Sequence, residues 1–137
     1  MDQASAEHAT ALHAACFAGH EEVVRMLVES KASLDAVTRR RLTPLHVASY
    51  TGHEGIARLL LNGGAAVDSM DDEHKTPLHL ACAKGHKAVV QALVNNKASL
   101  NALDKIQDTP LSAAACFGHT DVAKLLLESG ASVDLVN

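Results

Sequence analysis

The stretch TPLHLACAKGHKAVVQALVNNKA, residues 76–98, decides the fold, because versions of it recur along the whole chain. Its threonine returns every 33 residues, and its leucine, glycine and histidine keep the same interval. A fixed period of this length is the signature of a repeat protein, in which each repeat is one supersecondary unit. The positions in register are Thr10, Thr43, Thr76 and Thr109; Leu12, Leu45, Leu78 and Leu111; Gly19, Gly52, Gly85 and Gly118; and His20, His53, His86 and His119.

Each unit is predicted to contain two helices. Thr76 can cap the first helix with its hydroxyl, and Pro77 suits the first helical position because its missing N–H is not needed there. Gly85 then ends this short helix in a tight turn. The second helix carries apolar residues at helical spacing, which predicts one buried face. These residues in the third unit are Val89, Val90, Leu93 and Val94.

The second helices are predicted to end in a left-handed residue. Gly64 and Gly130 can take that conformation without a steric penalty. Lys31 and Lys97 stand at the same place in the first and third units. We expect strain of about 1 kcal/mol at each lysine if the geometry is kept.

A helix pair this small cannot bury its apolar face alone, so the units are predicted to stack. TPLHVASYTGH (43–53) and TPLHLACAKGH (76–86), with Gly64-Ala65 and Asp68 downstream, resemble ankyrin repeats. The resemblance covers essentially the whole chain. It implies an all-α ankyrin-repeat solenoid of four stacked helix-turn-helix units, whose loops project as β-hairpin fingers beside a concave helical groove. We expect a single domain, 1–137, with repeats at approximately 5–37, 38–70, 71–103 and 104–137.

Composition and charge exclude several classes of function. The chain has 137 residues, which suits one domain, and only 2% are aromatic, so Ala, Leu and Val must fill the core. A net charge of -4 argues against nucleic acid or an anionic membrane as the main partner. No signal peptide or membrane-spanning stretch is visible, and we expect no membrane insertion. Three cysteines without CxxC spacing favour reduced thiols in the cytoplasm or nucleus.

Histidine and cysteine could indicate a metal site or an enzyme. The chain has nine histidines, but most form two columns with one member per repeat. Neighbouring helices lie about 8–10 Å apart, so histidines within a column cannot share a metal. Cys16 and Cys82 occupy one slot two units apart, roughly 20 Å by helix spacing, so they are predicted to be small buried residues. We therefore expect no metal, no cofactor and no enzymatic activity.

The three aromatic residues follow the motif threonine by seven or eight positions, at the end of the first helix. They are Phe17, Tyr50 and Phe117. The resemblance implies that these positions face the concave groove, and aromatic side chains are favoured in binding hot spots. The alternative is ordinary packing beneath the fingers.

The predicted fingertips carry opposed charges, Arg39–Arg41 in one and Asp71–Glu73 in the next. Either adjacent fingers pair with each other, or the pattern selects and orients a partner. The family usually has glycine two residues before the motif threonine, where this chain has Arg41, His74 and Gln107. The tips therefore either adopt other turns or accept strain. Both the loss of glycine by drift and its replacement for partner contacts remain open.

The sequence predicts a protein–protein interaction module that binds through its fingertips and groove. The alternative is a scaffold segment of a larger enzyme, channel or ubiquitin-ligase adaptor, because the terminal units are as apolar as internal ones; these ends also predict weak self-association. The predicted partner-binding residues are Phe17, Arg39, Arg40, Leu42, Tyr50, Thr51, Asp72, Glu73, Lys75, Lys84, Lys105, Ile106, Asp108 and Phe117. The resemblance also implies that Asn101 is a candidate for asparaginyl hydroxylation, since it stands where other units have Asp35, Asp68 and Asp134.

Overall fold

The computed structural model describes residues 10–133, and within that range the secondary structure is entirely helical. Residues 5–9 of the first predicted repeat and 134–137 of the last lie outside the described residues. Four helix pairs follow one another, as the period predicts. The helices are α1 Ala11–Ala18, α2 Glu21–Glu29, α3 Pro44–Thr51, α4 Glu54–Asn62, α5 Pro77–Lys84, α6 Lys87–Asn95, α7 Pro110–Cys116 and α8 Thr120–Glu128.

The first helix of each pair begins as the sequence predicts. Thr76 is the N-cap of α5, its side chain accepts from the backbone N–H of His79, and proline occupies the first turn. Thr10, Thr43 and Thr109 cap α1, α3 and α7 in the same way. Gly85 follows α5 with φ 75°, a left-handed conformation that releases the chain into the turn before α6.

The helix pairs stack in two rows. The inner helices α1, α3, α5 and α7 pack in sequence, and the outer helices α2, α4, α6 and α8 do the same. Leu45 and Leu78 are fully buried between neighbouring inner helices, and Leu60 and Leu93 are fully buried on the outer helices. Because each leucine is covered by the next unit, the core is continuous along the stack. The all-α solenoid is therefore confirmed.

The terminal outer helices bury less apolar surface than the internal ones. Internal helix α6 buries four residues, whereas α2 buries only Val24. Met26 on α2 is 62% exposed, and Leu127 on α8 is 45% exposed. The described end units are therefore less strongly held than the internal ones.

Within residues 10–133, five residues other than glycine have left-handed backbone. Lys31 and Lys97 have φ 68° and 69°, so the second helices keep the geometry expected of Gly64. The three fingertip residues do the same, and the tips accept strain instead of adopting other turns. They are Arg41, His74 and Gln107, with φ 67°, 62° and 67°.

The fingers are hairpin-shaped turns without β-strands, since no strand is assigned in residues 10–133. In the third unit the N–H of Asp71 donates to the carbonyl of Lys75 at 2.9 Å, and the N–H of His74 donates to Asp71 at 3.0 Å. Thr38–Leu42 and Asp104–Asp108 close in the same pattern. Two bonds in five residues define a turn but are too few for a strand ladder.

We expect Leu78→Ala to lower the free energy of unfolding by about 2–5 kcal/mol, because a fully buried side chain is removed from the stack. Leu111 holds the same register position in α7 but is only partly buried, so Leu111→Ala should cost at least about 1 kcal/mol less. Urea denaturation of both variants measures the difference. Equal losses would contradict a core that weakens at the end unit.

Backbone strain can be tested at one register position. Lys97→Gly should raise the free energy of unfolding by about 0.5–1 kcal/mol, because glycine takes φ 69° without a steric penalty. Gly64→Ala, at the equivalent place, should lower it by about 1 kcal/mol or more. A Cβ at Gly64 would meet no atom within 4 Å, so only the backbone conformation is tested. Thermal and urea melts that show no gain for Lys97→Gly would exclude strain there.

Candidate interaction surface

Hydrogen bonds from histidine fix the fingers to the inner helices. His46 Nδ1 accepts from the backbone N–H of Thr43 at 3.1 Å and lies 2.9 Å from its Oγ1. Because Nδ1 accepts, Nε2 carries the ring proton, and it donates to the carbonyl of Lys75 at 2.9 Å. His13 and His79 donate in the same way to Leu42 and Asp108, so α1, α3 and α5 each hold the finger of the following unit.

Burial keeps these histidines neutral. It lowers the pKa of His46 below 6.5, because an imidazolium would lose hydration, and the carbonyl of Lys75 only partly opposes this effect. His13 and His79 have pKa values lowered for the same reason. A second ring proton would also displace the N–H that Nδ1 accepts. The neutral ring is therefore part of the structure that positions each finger.

The second histidine column runs in the opposite direction. His86 Nε2 donates to the carbonyl of Tyr50 at 3.0 Å, in the preceding unit, and His119 donates to Ala83 at 2.9 Å. A Cβ at Gly52 would lie 2.6 Å from the ring of His86, so glycine is required there by space as well as by φ. The hydrogen bond from His86 fixes the backbone at Tyr50, one of the three aromatic residues.

Neighbouring fingers are joined by backbone hydrogen bonds. The N–H of Asp72 donates to the carbonyl of Arg40 at 2.9 Å, and the N–H of Lys105 donates to Glu73 at 3.0 Å. Within the third finger, Asp71 Oδ1 accepts from the N–H groups of Glu73 and Lys75, both at 2.9 Å. Asp104 plays the same part in the fourth finger. The tips therefore form a connected, preorganised row.

Successive finger residues line two depressions in turn, except Asp71, which lines both. One lies between the fingers and the inner helices, with a volume of about 450 Å³, and we call it the groove depression. Its apolar wall consists of Phe17, Leu42, Val47, Tyr50 and Leu80, and the charged residues on its lining include Arg40, Glu73 and Lys75. The other lies against Arg41, Asp72 and His74.

All three aromatic side chains are exposed, which is the condition set by the groove hypothesis. Phe17 is 67% exposed, Tyr50 48% and Phe117 63%. Only Phe17 and Tyr50 line the groove depression. Phe117 lies one residue further along its helix register and stacks on His119, with ring centroids 6.5 Å apart. The ammonium of Lys84 lies 4.6 Å from the centroid of the Tyr50 ring, so Lys84 joins this surface.

The fingertip charges pair in part. Arg40 Nε lies 3.9 Å from a carboxylate oxygen of Asp72, a long contact between exposed groups. Lys75 Nζ lies 3.0 Å from Glu73 and 3.9 Å from Asp104. Hydrogen bonding to Glu73 is the main reason why the pKa of Lys75 is raised. Asp71, which the sequence groups with the tip charges, is buried, and its carboxylate accepts hydrogen bonds within the turn.

The remaining predicted site residues fall in different places. Lys105 and Ile106 line a neighbouring depression together with Glu73 and Lys75. Arg39 is exposed at its tip. Asp72 lines the second depression, beside Arg41 and His74, instead of the groove depression. The hydroxyl of Thr51 donates to Val47 in its own helix at 2.9 Å, and the carbonyl of Asp108 is occupied by His79.

Sequence reasoning missed two apolar groove residues and the second depression. Val47 and Leu80 stand four residues after the motif threonine and line the groove depression. Their signal was an apolar side chain on a helix face that small residues occupy in the other units, Ala14 and Ala113. Arg41 and His74 stand where the family usually has glycine, but no sequence pattern indicates that they share a surface.

Cys16 and Cys82 have a structural role, and the described residues contain no metal-binding cluster. Cys16 and Cys82 are buried, as predicted, and burial raises the pKa of each thiol to about 12. A thiol with that pKa is not a nucleophile near neutral pH. Within residues 10–133 no three His, Cys, Asp or Glu side chains are placed to hold a metal ion. None of the helices there is long and apolar enough to cross a bilayer.

Asn101 is exposed, and its side-chain oxygen accepts from the backbone N–H of Ser132 at 3.0 Å. Asp35 and Asp68 bond the following unit in the same way. Asp134, the fourth member of this column, lies outside the described residues. Hydroxylation of Asn101 stays a prediction.

Comparison with known families gives a match over the whole chain. A family model described as ankyrin repeats (3 copies) matches residues 1–71 and again residues 60–137. A search of curated proteins returned no significant match.

The buried histidines predict how stability depends on pH. Their folded pKa values lie below the usual 6.5, so the unfolded chain binds protons that the native state does not. The stabilisation from the neutral histidines should be fully present above about pH 6.5, the pKa of histidine in the unfolded chain. The free energy of unfolding should decrease as the pH falls below that value, by at most about 1.4 kcal/mol per pH unit for each histidine. His46→Gln should have a shallower pH dependence than wild type in urea melts between neutral and mildly acidic pH. An unchanged slope would contradict this assignment.

Proposed function

Because the chain belongs to the ankyrin-repeat family, whose members are generally protein-interaction modules, we propose that it binds a partner protein in the groove depression and along the adjoining fingertips. The observation that carries the proposal is the preformed apolar surface at Phe17 and Tyr50. Both rings are exposed, and both line one depression with Leu42 and Val47.

This surface has the physical properties of a binding hot spot. Aromatic side chains gain much area on burial at small entropic cost, because each has only two rotatable side-chain bonds. The backbone of Tyr50 is held by His86, and that of Leu42 by His13. A partner therefore meets a surface that needs little reorganisation, which favours affinity.

The charged residues beside the rings would govern encounter. Lys84 lies over the ring of Tyr50, Arg40 lines the same depression as Tyr50, and both cations are exposed. Glu73 is neutralised by Lys75. Long-range attraction raises association rates more than it changes dissociation. We assign this steering role to Arg40 and Lys84, and the same role to Arg39, Asp72 and Lys105 at the tips.

A second candidate function is that of a scaffold segment in a larger multidomain protein. The exposed apolar residues Val23 and Met26 on α2 and Leu127 on α8 support this candidate, because a neighbouring segment or a second copy would bury them. In that case the groove would be secondary, and binding would depend on α2 or α8.

We propose no catalytic role and no cofactor, in keeping with a family that is typically non-catalytic. We also propose that the protein works inside the cell, in the cytoplasm or nucleus. Three free cysteines support this placement, since Cys116 is exposed and Cys16 and Cys82 are buried without a disulfide. Nucleic acid is not proposed as the partner, because the net charge is -4.

We expect Tyr50→Ala to weaken partner binding by about 1 kcal/mol or more with little change in melting temperature, because an exposed ring contributes to the complex more than to the fold. The partner is first captured from cell extract by the wild-type protein, and its affinity for each variant is then measured by surface plasmon resonance. Arg40→Glu should act mainly on the association rate and lose its effect at high salt.

Met26→Ala is the matched control, because it removes an exposed apolar side chain from α2, outside the groove. It should leave the affinity unchanged. If Met26→Ala weakens binding and Tyr50→Ala does not, the scaffold candidate replaces the groove. A Tyr50→Ala variant that unfolds more readily but binds normally when folded would show that the ring serves packing.

A further inference from the structure

The fingertips hold strained backbone where glycine would remove the strain. Arg41, His74 and Gln107 have φ 67°, 62° and 67° at the same position of three successive fingers. Residues with side chains are costly in this conformation and persist at functional sites where the side chain is needed. The side chains at the strained tips are therefore candidates for contact with a partner.

Two of the three strained residues line one depression. It has a volume of about 490 Å³ and lies on the side of the fingers away from Phe17 and Tyr50. We call it the fingertip notch. Its lining residues are Arg41, Met70, Asp71, Asp72, His74 and Lys105, and Gln107 is not among them.

The exposed charges at the notch are mostly positive, although the carboxylate of Asp72 is exposed there as well. Asp71 is buried, and its Oδ1 already accepts two backbone N–H groups. Asp72 lies 3.9 Å from Arg40. Arg41 and Lys105 are exposed and form no ion pair within the described range 10–133, and Arg39 adds a further exposed cation in the same finger as Arg41.

We propose that the fingertip notch binds an acidic segment, rich in Asp and Glu, of the partner protein. Guanidinium groups bind carboxylates through paired hydrogen bonds, and Arg41 supplies such a group on fixed backbone. The hydrogen bonds from Asp72 to Arg40 and from Lys105 to Glu73 hold the three fingers at constant spacing. This inference rests on the proposed function and names the chemistry of a second contact with the same partner.

An acidic protein segment fits the notch better than nucleic acid does. The notch is lined by no Phe, Tyr or Trp on which a base could stack, and its one ring is the imidazole of His74. A net charge of -4 disfavours a long polyanion, which would extend well beyond the notch. A short run of carboxylates needs only the local cations Arg41 and Lys105.

The test measures binding and stability on the same variants. The probe is a fluorescently labelled oligoglutamate peptide, followed by fluorescence anisotropy at low salt. Arg41→Gly should weaken its binding by about tenfold or more, because a charged hydrogen-bonding group is lost. The same change should raise the melting temperature, because glycine relieves the strain at φ 67°.

Gln107→Gly is the matched control, since it relieves the same strain outside the notch. It should raise the melting temperature and leave peptide binding unchanged. Arg41→Gln, which removes the charge but keeps a side chain, should weaken binding without stabilising the fold. The proposal is overturned if wild type does not bind oligoglutamate, if oligolysine or an RNA oligonucleotide binds as well, or if Arg41→Gly binds like wild type.

The groove and the notch fail independently. Tyr50→Ala should leave oligoglutamate binding unchanged, because Tyr50 does not line the notch. Loss of the captured partner with Tyr50→Ala, together with unaltered oligoglutamate binding by Arg41→Gly, leaves the proposed function standing and removes the notch. If oligoglutamate binding depends on Arg41 but partner capture does not depend on Tyr50, the notch stands and the groove is removed as the binding site.

Discussion

The threonine–histidine pair at the start of the inner helices is the interaction on which the rest of the structure depends. In α3, Thr43 and His46 cap the helix, and the far nitrogen of the ring holds the carbonyl of Lys75 in the following finger. One neutral imidazole thus connects local helix initiation to contact between repeats. Ser112 replaces histidine in the last unit and bonds only to Thr109. Within the described chain, the link is present wherever a further finger follows.

The fingers are joined to one another although their tips carry backbone strain. The backbone bond between Asp72 and Arg40, and the bond between Lys105 and Glu73, turn three separate turns into one row. The three strained tip residues repeat in that row at the same register position. Stability supplied by stacked leucines such as Leu78 is large enough, at about 2–5 kcal/mol for each side chain, to exceed strain of about 1 kcal/mol at a tip.

Alternation along the fingers separates two kinds of surface. Residues on one side, such as Leu42 and Lys75, meet the inner helices and border the exposed ring of Tyr50. Those on the other side, such as Arg41 and His74, border a depression that is lined mainly by charged residues. The largely apolar lining and the charged lining therefore lie on different faces of the same row. Under the proposed function, a partner that uses both must wrap around the fingertips.

The sequence by itself determined the helices, their order and their stacking, because the threonine, proline and glycine signals act locally and the 33-residue period repeats them. It also placed Phe17 and Tyr50 at the ends of inner helices, and the structure shows that both rings are exposed. Only the tertiary structure separated Phe117 from them and buried Asp71, although Asp71 and Asp72 are neighbours in a charged run. These assignments depend on which unit covers a side chain and on how finger residues alternate. Both follow from packing across repeats, and periodicity along one chain does not encode the side to which a loop residue turns.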